Sequence, residues 1–413
     1  MRIVSVEDMH ADAGWRTVSF LKVATDEGIT GWAEFSEGMG GDGLTWAIRR
    51  MAARLIGQDP CRVGPIDALL TSTTRTSAGG VTAMAIAAIL NACLDIKGKA
   101  AGLPVYELYG GAHRTRIPAY WSHCGTYRAR SAELFEGVCG TPPIRSLDDI
   151  SALGQEVVVR GFKALKSNLI LFDGERPRQY RPAFSGGGGH PELNLTPALL
   201  GAIHDQLAAF REGAGPATGL MFDLNSHYKP EGMRRIARTV EKLDLDWLEV
   251  DLWDAEALAG LRQSTSTPIG SLEVIFHRRD LKRFLDLGAV DVCIVDPQWS
   301  GFPEAFRMAV LADTYEVNVA AHDAHGYHSS NMGAHLCAAI PNCRIMEFDV
   351  DEVPWMSDLV TRPPVFEDGA YVLPDGPGWG CDVVEEAVQA HPPKLPGTPP
   401  YLLDWHRRAG IAV

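Results

Sequence analysis

The chain has 413 residues, 52 acidic against 38 basic side chains and a formal charge of −14, and no basic run offers the phosphate neutralisation that nucleic-acid binding needs. No apolar stretch is read as reaching the ~18 residues of a membrane span, and Met1-Arg-Ile-Val has neither a signal-peptide core nor a cleavage site. Eight cysteines are scattered without a Cys-x-x-Cys pair, some such as Cys93 and Cys293 inside apolar runs, so buried free thiols in a reducing cytoplasm are expected.

From the N-terminus, Arg2 to Asp8, Thr17 to Ala24 and Gly31 to Glu34 read as a strand meander, with Thr25-Asp-Glu-Gly28 turning between the last two. An Ala-rich helix follows from about Thr82 to Ala101, stopped by Gly102 and Pro104. Beyond it come short apolar runs of the kind that form buried parallel strands. They are Ile117 to Ser122, Gly161 to Asn168, Gly219 to Asp223, Leu245 to Glu249, Pro268 to Glu273, Val290 to Asp296, Val317 to His322 and Arg344 to Glu347. Helix-length segments with apolar residues at threes and fours lie between the later ones, as in Glu231 to Leu243, Ala255 to Gln263, Arg278 to Leu287 and Pro303 to Thr314. The length exceeds one compact domain. The pattern predicts an α/β chain: an N-terminal α+β domain over about 1–115, a (β/α) TIM barrel over 116–349, and a proline-rich tail, 350–413, that packs back on the first domain.

Asp223, Glu249, Glu273, Asp296, His322 and Glu347 stand near the ends of six consecutive runs, 23 to 26 residues apart. That interval is one strand, one helix and two short loops. A barrel delivers the C-terminal ends of its strands to one rim, so five carboxylates and an imidazole would meet there, as a metal site with acid/base groups beside it.

Asn91-Ala-Cys-Leu-Asp-Ile-Lys-Gly-Lys-Ala-Ala-Gly-Leu-Pro-Val-Tyr-Glu-Leu-Tyr-Gly-Gly111, Gly161-Phe-Lys-Ala-Leu-Lys166 and Ala338-Ala-Ile-Pro-Asn342 resemble segments of the mandelate racemase subgroup of the enolase superfamily, and the likeness runs over essentially the whole chain. The resemblance implies a capping domain over a modified (β/α)7β barrel, with Mg²⁺ held by Asp223, Glu249 and Glu273. Hard oxygen ligands favour Mg²⁺ over zinc or copper. It further implies a His322–Asp296 dyad as base, the carboxylate fixing the tautomer, and Glu347 as a hydrogen-bond partner of a substrate carboxylate. His325 and His328 are read as solvated loop residues without a role.

Strand two departs from the family pattern. Many relatives carry Lys-x-Lys there, the first lysine binding or polarising the carboxylate and the second acting as a base opposite the histidine. This chain has Lys166-Ser167-Asn168, and an amide takes no proton at neutral pH. Lys163 would point to the other side of the strand. A racemase needs a base on each face, whereas a dehydratase can use one group twice. The expected activity is therefore a Mg²⁺-dependent lyase: dehydration of a sugar acid to a 2-keto-3-deoxy acid. A one-base isomerase, cycloisomerase or epimerase, and a silent binding relative, are the alternatives.

Lys166 is counted with the catalytic set, and Asn168, Asn225, Trp15 and Arg16 as substrate contacts. The loops Met9 to Arg16 and Ser36 to Gly43 are expected to close over the rim. Phe172 to Leu195, with Gly186 to Gly189, reads equally as a lid or a surface insertion. A small carboxylate substrate and further copies of the chain are the expected partners.

Overall fold

The first 35 residues build an antiparallel sheet of β1 (Ile3–Asp12), β2 (Thr17–Thr25) and β3 (Thr30–Phe35), in that order, with β2 and β3 mostly buried. β1 continues to Asp12, paired with Thr17, so Met9 to Asp12 is strand where the sequence reading expected loop. The computed structural model describes residues 1–37, 43–73, 76–182, 191–192 and 194–393; most of the expected Ser36–Gly43 loop and the glycine run 186–189 lie outside these.

Helix Gly80–Ala101 is, by length and composition, apolar enough to cross a membrane, which corrects the sequence reading. It is instead a core helix. Its middle is buried on nearly every side because β3 covers one flank and the barrel the other. On the barrel flank Asn91 donates to the carbonyl of Pro297 at 2.9 Å and accepts from the Phe302 amide at 2.8 Å. On the other, buried Asp95 accepts from the amides of Trp32 (2.8 Å) and Trp379 (2.9 Å) and pairs with Lys99 at 2.6 Å.

Eight parallel strands follow, separated in the second by a two-stranded hairpin, β6 (Ile170–Leu171) and β7 (Arg178–Gln179). They are β4 (Arg116–Ser122), β5 (Ala164–Ser167), β8 (Gly219–Asp223), β9 (Trp247–Glu249), β10 (Ile269–Ser271), β11 (Val292–Val295), β12 (Asn318–Ala321) and β13 (Cys343–Asp349). Each pairs with the next, and β13 pairs with β4 to close the barrel. The tail splits in two. β14 (Phe366–Glu367) and β15 (Ala370–Val372) extend the sheet antiparallel to β4, while other described tail residues reach the N-terminal domain, with Trp355 donating to the Asp12 carbonyl at 2.7 Å and the Asp12 amide to the His391 carbonyl at 2.8 Å. All eight cysteines are free thiols.

The barrel interior explains the site. Tyr120, Ala164, Met221, Trp247, Val292 and Ala320 form a separate apolar cluster, with Ile345 beside it. Side chains two residues further along a strand face the same way. The next layer is therefore Ser122, Lys166, Asp223, Glu249, Ile294, His322 and Glu347, and one step beyond come Asn168, Asp251 and Asp296. An apolar plug thus supports a polar floor.

Candidate active site

Adjacent strands hold the first two acids level, since Asp223 of β8 and Glu249 of β9 are register partners. Gly270 of β10 matters here: a Cβ would lie 2.5 Å from the Trp247 ring. The bare backbone lets the indole lie flat, and its Nε1 donates to Glu249 Oε2 at 2.8 Å. Glu273 breaks the two-residue alternation, and Leu272 before it has φ +96°, a region that bulky side chains rarely enter. That strained residue turns the third acid toward the cavity, which it lines.

Lys166 sits between two carboxylates, 2.5 Å from Glu249 and 2.9 Å from Glu347. Burial alone would favour the neutral amine, but Glu249 and Glu347 outweigh it and hold its pKa well above the usual lysine value. Glu347 also accepts from the Ser122 hydroxyl and the Asp323 amide. Despite burial, Lys166, His322 and His123 hold it well below the usual carboxylate range.

His322 meets Asp296 through Nδ1 at 2.7 Å, leaving Nε2 facing Glu273 at 3.4 Å and Glu347 at 3.7 Å. Burial lowers the imidazole pKa, yet Glu273, Glu347 and Asp296 together raise it well above the usual value. Asp296 is locked by further donors, the amides of Gln298 (2.6 Å) and Trp299 (2.9 Å). Lys163 is exposed, as its side of the strand required.

His325 and His328 are buried, not solvated. His325 Nε2 lies 2.9 Å from the same Asp296 oxygen that His322 uses, because the segment after β12 folds inward under the N-terminal domain. The helix after it, Tyr327–Ala339, is enclosed almost completely, and burial drives the His328 pKa down to about 3.

The predicted substrate contacts divide. Asn168 donates to Asp223 Oδ2 and to its carbonyl, both at 3.2 Å, and Asn225 (φ +44°) donates to the same carboxylate at 2.8 Å. Both line the cavity, but both also hold the first acid. The terminal nitrogens of Arg16 are committed to the carbonyls of Ala324 (2.9 Å) and His325 (2.6 Å) and to Asp349 and Glu352. Trp15 stacks on Tyr127, ring centres 3.9 Å apart.

The cavity above this floor measures about 490 Å³ and is shared between the barrel rim and the N-terminal sheet, with Trp15, Ser36, Asp251, Glu273 and Trp299 in its wall. Asp251 escaped the sequence reading, though its place two residues after Glu249 was a signal. Burial first, then repulsion from Glu273, Asp223 and Glu249, raises its pKa well above the usual range. Burial likewise raises Asp223, Glu273 and Glu249, the last to about 7.

Four oxygen-bearing acids that disfavour one another's charge in a buried pocket suit a hard divalent cation, so the residues present fit the expected ion. Among the described residues, a tighter grouping of possible ligands, within 4.8 Å of one another, is Asp296, His322 and His325. Its donors are already joined as hydrogen-bond partners.

Two family models match, the mandelate racemase/muconate lactonizing enzyme N-terminal domain over residues 8–110 and the enolase C-terminal domain-like family over 149–387. The chain is similar to the D-xylonate dehydratase of Haloferax volcanii, 27% identical over 94% of this chain and 88% of that one. A D-galactonate dehydratase family member of Streptomyces bingchenggensis is 30% identical over 99% and 96%. Among solved structures, a provisionally assigned L-alanine-DL-glutamate epimerase from Burkholderia xenovorans strain LB400, bound to magnesium and fumarate, superposes with a TM-score of 0.93 at 40% identity, covering 98% of this chain and 99% of that one. The chain belongs to the enolase superfamily, in its mandelate racemase/muconate lactonizing enzyme group.

Proposed function

We propose that the protein is a Mg²⁺-dependent dehydratase of a sugar acid. The observation that carries this is the asymmetry of the floor: His322 is ordered as a base by Asp296, whereas strand two offers an amide, Asn168, beside a lysine whose ammonium already bridges two carboxylates. A reaction needing a neutral base on each face of the substrate is poorly served. The dehydratase relatives favour the same reading, and the magnesium and fumarate of the Burkholderia protein support a metal-assisted carboxylate site.

Asp223, Glu249 and Glu273 would hold the ion, with Asp251 beside them. When bound, it supplies a fixed positive charge against the substrate carboxylate as the neighbouring proton leaves. Lys166 presents its ammonium to the same carboxylate and adds to that field. His322 Nε2 takes the proton from carbon 2, and the C–H electron pair becomes the C1–C2 double bond of an enediolate. Asp296 holds the imidazolium by Nδ1. The C3–O bond then breaks, and Nε2 returns its proton to the departing hydroxide, which leaves as water. Tautomerisation of the enol gives the 2-keto-3-deoxy acid. Trp15 and Arg16 belong to the wall that shapes the substrate space.

A library of aldonates and aldarates, assayed for 2-keto acid with Mg²⁺ and with EDTA, tests the reading. Metal-dependent keto-acid formation is expected. Configurational inversion without keto acid would replace the dehydratase by an epimerase.

A further inference from the structure

Asp296 Oδ2 receives two imidazoles, His322 Nδ1 at 2.7 Å and His325 Nε2 at 2.9 Å. On its other side His325 Nδ1 lies 3.1 Å from the hydroxyl of Ser36, which is itself 2.6 Å from the Gln298 side chain. Ser36 follows directly on β3, so it belongs to the N-terminal domain, and Ser36, Gln298, His325 and Asp296 are all buried. A hydroxyl has one proton, and with the amide oxygen facing Ser36 the Gln298 Nε2 is left buried without a partner. Exchanging the amide's oxygen and nitrogen frees the hydroxyl proton for His325. Gln298 Nε2 then donates to Ser36 Oγ, Ser36 donates to His325 Nδ1, and His325 donates from Nε2 to Asp296, which accepts His322 Nδ1–H as well.

We infer that Ser36 and His325 are positioning residues for the base, fixing Asp296 and through it the tautomer and pose of His322, so that a hydroxyl of the N-terminal domain is part of the catalytic hydrogen-bond chain. The inference rests on the reading of His322 as the base. Neither residue touches the substrate in this role. Partners that orient a reacting group in this indirect way are commonly worth about 10- to 100-fold in activity.

The test uses Mg²⁺-loaded full-length enzyme with ¹⁵N-labelled histidine, together with kinetics on the sugar acid that the library identifies. Ser36→Ala should release His325 from a single Nε2–H tautomer and move the His322 ring signals, and Ser36→Thr should restore both. His325→Leu should lower kcat about 10- to 100-fold, with KM changed by less than about threefold. His325→Gln, which keeps a donor toward Asp296, should recover much of the loss. Ser36→Ala should add nothing in the His325→Leu background, because the two act through one chain. Unchanged His322 signals in Ser36→Ala, or full additivity of the two losses, would overturn the inference. If no dehydration is found while Ser36→Ala still moves the His322 signals, the chain of contacts stands and the assigned reaction fails.

Discussion

The carboxylate of Glu34 accepts the backbone amide of Gly326 at 2.5 Å and that of Ser329 at 3.1 Å. Helix Tyr327–Ala339 has no capping side chain of its own, so its free amides are satisfied from the other domain. Gly326 is required at that contact, since a Cβ would lie 2.8 Å from both Glu34 oxygens. The same helix start carries His325 on its approach, so this cap lies at the edge of the site.

Glu34→Ala should therefore destabilise the protein by about 1–2 kcal/mol, the usual worth of a lost N-cap with its charge on the helix dipole. Urea unfolding measures it. Gly326→Ala should do at least as much harm and should also reduce turnover, because the carboxylate must move away from the helix. Wild-type stability and activity in both variants would show the cap to be incidental.

Glu249→Gln keeps the shape of the second acid and removes its charge. Mg²⁺ affinity by calorimetry and turnover should both collapse while the fold persists by circular dichroism. EDTA should reproduce the loss in the wild type. Near-normal activity in the Gln variant would disqualify Glu249 as a ligand.

His322→Asn should abolish both loss of water and exchange of the carbon-2 proton with deuterium from solvent. Asn168→Ala should leave exchange measurable but raise the Mg²⁺ requirement by about 10- to 100-fold, because Asn168 holds Asp223. Exchange at the wild-type rate without His322 would point to Lys166 as the base and remove the main support for dehydration.

His328 gives a pH signature. Its folded pKa is depressed to about 3 against an ordinary 6.5, first by burial and then by Lys99 and His335. The folded state thus binds fewer protons than the unfolded chain below pH 6.5, and stability is lost as pH falls from there toward 3. Between pH 7.5 and 4.5 this residue alone should cost about 3 kcal/mol. His328→Met should flatten the profile by that amount in denaturant titrations, and parallel profiles for the two proteins would rule the residue out as a source.

The barrel was legible because its strands are short, apolar and evenly spaced, and because a polar residue two positions past an apolar plug residue lands on the floor. Asp223, Glu249, Asp296, His322 and Glu347 were all visible as strand-end polar groups. What stayed hidden depends on approach in space. Nothing in the spacing of Ser36 places it against His325, 289 residues away, and His325 looked like a loop residue because its cover comes from another domain. Helix Tyr327–Ala339 lacks a polar face, so periodicity gave no outline. The antiparallel β14–β15 addition was masked by the prolines and turns around it.

Asp95 imposes an order on biosynthesis. Its helix and the strand it holds through Trp32 are made early, but Trp379, its third contact, is 284 residues further along. At ordinary translation speeds that partner emerges roughly 15–60 s after the carboxylate. Until that point the buried acid lacks the backbone amide that meets it, even after the barrel strands that cover the helix's other flank have been made. The N-terminal domain is thus synthesised before the barrel and completed after it, and a ribosome stalled before residue 379 should display it open to proteases even when the barrel strands have already been made.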